Sequence, residues 1–503
     1  MKYLSSAKWL FLLFPQQAFA AETIIDAFIN SINGFLAQII FLDVFPGEPE
    51  MPFIVAWLIV AAVFLTFRFN FINMRMMRHA YRVIRGKYRT ADDHGEVTSF
   101  QALSTALSAT VGLGNIAGVA IAISIGGPGA TFWMIVAGFL GMSTKFTEAS
   151  LAQMYREVRS DGRLMGGAME YLSKGLAEKG VPRLGKVLAI MFAIFTIFGS
   201  FGAGSAFQVS QSMGAIQEQI AFFREMPIAY GLLMAIAVGL VIIGGLRRIA
   251  HVAEAIVPSM VIIYVSACIW IIGSNADLVP NALSMIVTEA FSPIAVAGGM
   301  VGALVQGFKR AAFSSEAGLG SAAIAHSAAS VKYPVRQGLV ALYEPFIDTV
   351  VICTMTALVI VITGVYNAPE YEALRAASQG AALTSAAFAT VSDWFPMILT
   401  LSVVLFAYST MISWSYYGER CWVYVFGERY SILYKVIFIG FIIIASIASA
   451  ASLLDFTDLL VLSMAFPNLI GLYVLSGKVK TALGEYQLKL KSGELDSEVR
   501  VTR

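Results

Sequence analysis

Residues 99–126 read SFQALSTALSATVGLGNIAGVAIAISIG. The stretch is long and apolar enough to cross a bilayer, yet Val111-Gly112-Leu113-Gly114-Asn115 interrupts its middle. Glycine costs about 1 kcal/mol against alanine inside a helix, and hydrocarbon leaves no water for the backbone groups that a break frees. Such a break is tolerated where it lines a cavity, and helices broken in this way hold substrate and ion in membrane carriers. Close helix packing through the Gly114-x-x-x-Gly118 pair is the other reading of the same glycines. A dinucleotide loop is excluded. The third glycine falls one place late for G-x-G-x-x-G, and no strand–turn–helix surrounds it.

Of the 503 residues, 58% are hydrophobic and 13% charged, where a soluble protein carries roughly a quarter charged residues. Apolar runs of about 20 residues recur, the length a helix needs to span hydrocarbon. The chain therefore reads as an all-α polytopic membrane protein, since a membrane barrel would show short alternating segments. Cys268, Cys353 and Cys421 lie in or beside apolar spans with no metal-ligand spacing, and read as small apolar residues. Lys2 and Lys8, the apolar core 9–14 and Ala18-Phe19-Ala20 have the layout of a cleaved signal peptide over residues 1–21. An uncleaved interfacial helix is the alternative. Residues 22–51 follow as an external amphipathic segment.

Eleven spans are expected near 52–73, 99–126, 129–154, 186–213, 227–246, 254–274, 294–314, 338–364, 394–416, 431–452 and 457–477. Arg75, Arg78, Arg82, Arg85, Lys87 and Arg89 follow the first span, and alternate loops repeat the excess through Arg156, Arg247, Lys309, Arg310, Lys332 and Arg420. The opposite side holds only Arg224 and Arg375. By the positive-inside rule the N-terminus lies outside and the C-terminus inside, with 479–503 as a mobile cytoplasmic tail. The transmembrane domain covers 52–478, and no soluble domain has room for a catalytic core.

The second and seventh spans run in opposite directions, and glycines interrupt both: Gly112 and Gly114 in one, Gly298, Gly299 and Gly302 in the other. Gly-interrupted spans at matching positions of two halves point to a transport site. In the first, free N–H groups at Gly112, Leu113, Gly114 and Asn115 suit a carboxylate. Carbonyls at Ser108 and Val111 suit a hard cation such as Na⁺. Ser409 and Thr410 add adjacent hydroxyls, which can equally bond their own helix. Trp414, one turn on, reads either as a pocket wall or as an interface anchor. Gln208, on one face with Ser205 and Ser212, reads either as a substrate contact or as interhelical glue. Lys145 and Glu148 are spaced to pair near the inner surface, and Glu344 and Asp348 share a helix face. His79, His94, His251 and His326 all fall in inner loops, so no metal site or haem is expected.

The segments ALSATVGLGNIAGVA, GGPGATFWMIVAGFLGMSTKFTEASLAQMYR, IGGLRRIAHVAE, AAFSSEAGLGSAAIAHSAA and FAYSTMISWSYYGER resemble the signature of the alanine-or-glycine:cation symporter family. That family is similar in fold to the neurotransmitter:sodium symporters, which share the string V-G-L-G-N. The resemblance implies a five-plus-five inverted repeat, about 99–275 and 294–478, preceded by one extra helix. It implies Na⁺- or H⁺-coupled uptake of alanine or glycine across a bacterial inner membrane, with sodium-coupled symport as the main reading. Ser108, Val111, Ser409 and Thr410 then match cation ligands. Asn115 then matches a substrate-side polar residue, and Gly112, Leu113, Gly114, Gln208, Gly298, Gly299 and Trp414 complete the candidate substrate side from the residues themselves. Members resemble G-N-x-x-Q-x-N in the fourth span, where this chain has serine at Ser205 and Ser210. That departure leaves the substrate preference open.

The expected partners are a small amino acid and the lipid bilayer, with Na⁺ as coupling ion, no cofactor, no nucleic acid and no obligatory protein partner. Proton coupling through Glu344 or Asp348 is the alternative mechanism. A channel, or a membrane subunit of an energy-converting enzyme, is the remote alternative. The first would want polar residues along several spans and the second haem or metal histidines.

Overall fold

Phe53–Arg68 (α1) is an uninterrupted apolar helix that ends on a basic residue. The computed structural model describes residues 51–501 except 91, 160–163 and 293–298, together with 30, 31, 34, 38, 42 and 43. The expected signal peptide, 1–21, lies outside the described residues, as does most of 22–51. After α1 the chain reverses through Asn70 and Phe71, at φ 51° and 54°, into Met77–Ile84 (α2). There His79, Ala80 and Val83 face the protein, while Arg78 and Arg82 are exposed.

Thr98 starts the next helix, Ser99–Thr110 (α3), through a reciprocal cap. Its hydroxyl accepts the Gln101 N–H at 3.1 Å, and the Gln101 amide oxygen accepts the Thr98 N–H at 3.0 Å. α3 stops at Val111, whose ψ is 80°. A wide π-turn over Gly114–Gly118 leads into Val119–Gly126 (α4), and the two halves are bent by 51°. The interruption expected at 111–115 is thus where the helix breaks.

Gly129–Tyr155 (α5) follows, then a small antiparallel hairpin of Glu157–Val158 (β1) and Leu164–Met165 (β2). Pro182–Gln219 (α6) contains a π-turn at Gly202–Ala206. Pro227–Ile242 (α7), Gly245–Ser274 (α8) and Val279–Ala290 (α9) complete the first half. The second half comprises Gly299–Ser315 (α10), Ala323–Ser327 (α11), Pro334–Thr363 (α12), Gly380–Ala389 (α13), Phe395–Phe426 (α14), Ser431–Ala445 (α15), Ala450–Lys491 (α16) and Glu494–Val501 (α17). Among the described residues, five helices are each long and apolar enough to cross a membrane, and six with α3 and α4 taken as one bent span. The molecule is a multi-pass membrane protein. α5 packs against α1, α10 and α12, and the π-turn after α3 packs against α10, α12 and α13.

Three expectations need correction. Gly299 opens α10 at φ 62°, Gly302 lies inside that helix without breaking it, and Gly298 lies outside the described residues. The interruption comes after Ser315, where Glu316, Gly318 and Gly320 adopt φ of 56°, 93° and 82°. A lone glycine inside a helix weakens it by about 1 kcal/mol without ending it, whereas three positive-φ residues within five positions end the helix. Lys309 and Arg310 are likewise not in an inner loop. They sit within α10, before the break, and both pair with Asp458 of α16. Finally, the described part of the tail, 479–501, is largely helical and docked. α16, at 42 residues, extends about 63 Å at 1.5 Å per residue, twice the roughly 30 Å of hydrocarbon. Its distal part carries buried Tyr486, and α17 adds buried Leu495. Tyr486 Oη is 2.9 Å from His79 Nε2, and Asp496 pairs with Lys87 at 3.2 Å.

Burial, with Arg82, Arg336 and Lys87 nearby, pushes the His79 imidazole down from 6.5 to about 4. Between those values the unfolded chain binds a proton that the folded chain does not, so stability falls as pH drops through this window, by up to about 3 kcal/mol. The thermal midpoint should fall between pH 6.5 and 4 more steeply in wild type than in His79→Gln, which keeps a hydrogen-bonding side chain and cannot titrate. Parallel pH profiles would exclude this role.

Candidate substrate and cation site

At the first break amide side chains reach the Gly112 and Leu113 N–H groups, and the Gly112 N–H also meets the Thr110 carbonyl at 2.8 Å. The Gly112 N–H donates to Asn115 Oδ1 at 2.9 Å, and the Leu113 N–H donates to Gln208 Oε1 at 3.1 Å. Gln208 in turn donates from Nε2 to the Ala203 carbonyl at 2.9 Å, inside the π-turn of α6. Gln208 follows that turn in regular helix, and its side chain bridges the turn to α3. The Asn115 amide donates to Asp348 Oδ1 at 2.6 Å and to the Asp348 carbonyl at 3.0 Å. Ser314 and Thr349 hydroxyls donate to Asp348 Oδ2 at 2.8 and 2.7 Å. The Asp348 carboxylate, fully buried, therefore ties the first break to the end of α10.

Neutral oxygens gather on the other side of the break. The Ser108 carbonyl accepts from Thr410 Oγ1 at 3.1 Å and from Ser409 Oγ at 3.5 Å. Ser108 Oγ donates to the Ser409 carbonyl at 2.7 Å. Ser108, Val111, Ser409 and Thr410 are all buried. Hard cations take oxygen ligands of this kind. A Cβ on Gly112 would overlap Thr410 Oγ1 and stand 3.3 Å from Gln208 Oε1, so α14 reaches the break only because residue 112 has no side chain.

The remaining candidates divide. Trp414 is buried, with its Cβ and ring where a Gly204 side chain would stand, which rules out a membrane-interface anchor. A Cβ on Gly114 would lie 3.2 Å from Ser314 Cα and 3.3 Å from the Phe313 ring, and Phe313 meets Phe207 edge-on at 5.0 Å. The first break therefore faces the end of α10. Gly299, at the start of that helix, is about 22 Å away along its axis at 1.5 Å per residue and does not join the cluster. Ser205 bonds the Phe201 carbonyl at 2.7 Å and stays within its own helix. Gln211 donates to the Ser378 carbonyl at 2.9 Å and accepts from the Ala381 N–H at 3.3 Å, anchoring the start of α13.

Sequence reasoning missed the surroundings of the second break. Glu148 does not pair with Lys145 near a surface. Its Oε1 accepts the Gly318 and Gly320 N–H groups, each at 3.1 Å, and the Asn468 amide at 2.7 Å. Lys145 lies 3.6 Å from Glu344, whose other oxygen is 3.0 Å from His326 Nε2. His326 is buried in α11, not in a loop, and Gln337 holds its other ring nitrogen at 2.8 Å. Glu316 accepts from the Ser321 hydroxyl. Glu344 and Asp348 therefore serve different breaks. The overlooked signal was a residue-level repeat: Gly112-Leu113-Gly114-Asn115 in the first half and Gly318-Leu319-Gly320-Ser321 in the second.

Two interrupted helices that meet at oxygen-rich breaks define a secondary carrier of the broken-helix class. The chain belongs to the sodium:alanine symporter family, whose model matches residues 40–500, and its relatives are transporters, not enzymes. It is 40% identical over 429 residues to the sodium/alanine symporter AgcS of Methanococcus maripaludis, covering 85% of this chain and 92% of that protein. It is 33% identical over 444 residues to the probable sodium/glutamine symporter GlnT of Bacillus subtilis, covering 88% and 89%. Among solved structures, MhsT in complex with L-phenylalanine shares the fold at a TM-score of 0.50 and 14% identity, over 76% of this chain and 98% of that one.

The overlap between a residue-112 side chain and Thr410 gives a stability test. Gly112→Ala should cost about 1–3 kcal/mol, and adding Thr410→Ala should recover part of it. A double-mutant cycle by thermal unfolding should read a coupling of about 0.5–3 kcal/mol. Strict additivity would mean that the two side chains do not meet.

Proposed function

We propose that this chain carries alanine or glycine, with Na⁺, into the cell across a bacterial inner membrane by alternating access, its N-terminus outside and its C-terminus in the cytoplasm. The observation that carries the reading is the Ser108 carbonyl held between Ser409 and Thr410, directly beside Gly112. In this reading those oxygens and the Val111 carbonyl hold Na⁺. The substrate carboxylate takes the Gly112 and Leu113 N–H groups, displacing the Asn115 and Gln208 amide oxygens, which then turn to the substrate ammonium. The name of the archaeal relative, a sodium/alanine symporter, supports the ion and the substrate. The transmembrane domain is 52–478, as two repeats behind one extra helix.

Small size is the expected selectivity. Thr410 closes on Gly112, Trp414 on Gly204, and Phe313 on Gly114, so little room is left for a long side chain. One methylene in such a pocket is worth about 1–3 kcal/mol.

In proteoliposomes with Na⁺ and pH gradients imposed separately, an inward Na⁺ gradient should drive labelled alanine uptake and a proton gradient alone should not. Thr410→Ala should raise the Na⁺ concentration for half-maximal uptake, with the folded fraction unchanged. Proton-driven uptake without Na⁺ would overturn the coupling assignment. In the same vesicles unlabelled glycine should compete with alanine and leucine should compete poorly. Equal competition by leucine would refute the small pocket while leaving the coupling intact.

A further inference from the structure

A cavity of about 190 Å³ opens at the basic end of the bundle between α2 and the start of α3. Arg85 and Arg89 line it and are exposed. Arg336 lines it and is 3% exposed, and its Nε is buried without a hydrogen-bond partner. Its Nη1 donates to the Tyr88 carbonyl at 2.6 Å and meets Asp93 at 3.3 Å. Asp93 is the acid in the wall, and its charge is already engaged by Arg336 and by the Thr90 and Lys332 N–H groups at 3.0 and 2.8 Å. The lining therefore keeps two uncompensated arginines. Ser99 and Phe100, in the first turn of α3, complete it. The Thr98 hydroxyl takes the Gln101 N–H of that turn, and the helix dipole behind Ser99 and Phe100 favours an anion.

We propose that this cavity binds the phosphate of an anionic lipid headgroup. Two arginines, a buried guanidinium with an unused donor and a helix N-terminus converge on one space, which is the chemistry a phosphate diester needs. A lipid is favoured over a soluble phosphate by the surface around the mouth. Phe100 in the lining is 38% exposed, and Val83, Ile84 and Val331 line the same space beside the arginines. Mixed apolar and basic side chains are the pattern of a membrane interface. The headgroup would bridge α2 to the foot of α3, the helix whose other end carries Ser108 and the first break.

The test uses the purified full-length chain in detergent, with lipid binding read by native mass spectrometry. Phosphatidylglycerol should bind more tightly than phosphatidylcholine. Arg85→Gln with Arg89→Gln should weaken phosphatidylglycerol by about fivefold per arginine and phosphatidylcholine, whose ammonium offsets its phosphate, by less. Arg75→Gln with Arg78→Gln removes the same charge from the same face outside the cavity and should keep wild-type affinity. Equal binding of the two lipids, or an equal loss in the Arg75/Arg78 variant, would overturn the site. If inorganic phosphate alone stabilises the protein as well as phosphatidylglycerol does, and that effect needs Arg85 and Arg89, the lipid assignment is overturned in favour of a soluble anion.

Discussion

A backbone that leaves the helix inside hydrocarbon must find its hydrogen bonds in protein, because no water replaces them and each orphaned group costs several kcal/mol. Both interruptions in this chain meet that demand with a side chain from another helix. At the first, Gln208 reaches from α6 and Asp348 from α12, the latter through Asn115. At the second, Glu148 reaches from α5 and Asn468 from α16. The helices that surround the two breaks are thereby fixed to them. Any motion that opens one break must also move, or release, the helix that satisfies it.

The same constraint explains the buried charge. Lys145, Glu148, Glu316, Glu344 and His326 would each be expensive alone in a membrane interior. Here they collect around Gly318 and Gly320, where the backbone offers donors and every carboxylate has an N–H, a hydroxyl, an ammonium or an imidazole beside it. The proposed transport chemistry lies at the first break, whose N–H groups are held only by neutral amides. A ligand carboxylate can exchange with an amide oxygen more readily than with Glu148, which already occupies the corresponding position of the second break.

The first break was legible because glycines and an asparagine in the middle of an apolar span have few other uses, whereas the place of Ser409 and Thr410 beside it came only from the family resemblance. The second was misplaced because glycines were weighed without their context. Gly298, Gly299 and Gly302 stood inside the apolar run, whereas Gly318 and Gly320 lay beyond its edge, among polar residues that resembled a loop. The same error put His326 in a loop and Lys309 and Arg310 among the orienting charges. Hydropathy ends a span where polarity begins, but a broken helix resumes after its polar segment, and only the repeated Gly-Leu-Gly string marks that resumption. The partners of Gln208, Asp348 and Glu148 were beyond reach for another reason. Each contact joins residues far apart in the chain, and nothing in local periodicity reports which helices become neighbours.

If the two oxygen clusters at the first break are one site, cation and amino acid must bind as linked ligands, each raising the affinity of the other by the same factor. Equilibrium binding of labelled alanine to the purified protein, with Na⁺ replaced stepwise by choline, measures that linkage without any transport step. The account predicts that alanine affinity rises with Na⁺ and that the dependence is lost in Ser409→Ala with Thr410→Ala. Alanine affinity that is unchanged between choline and Na⁺ in wild type would contradict it.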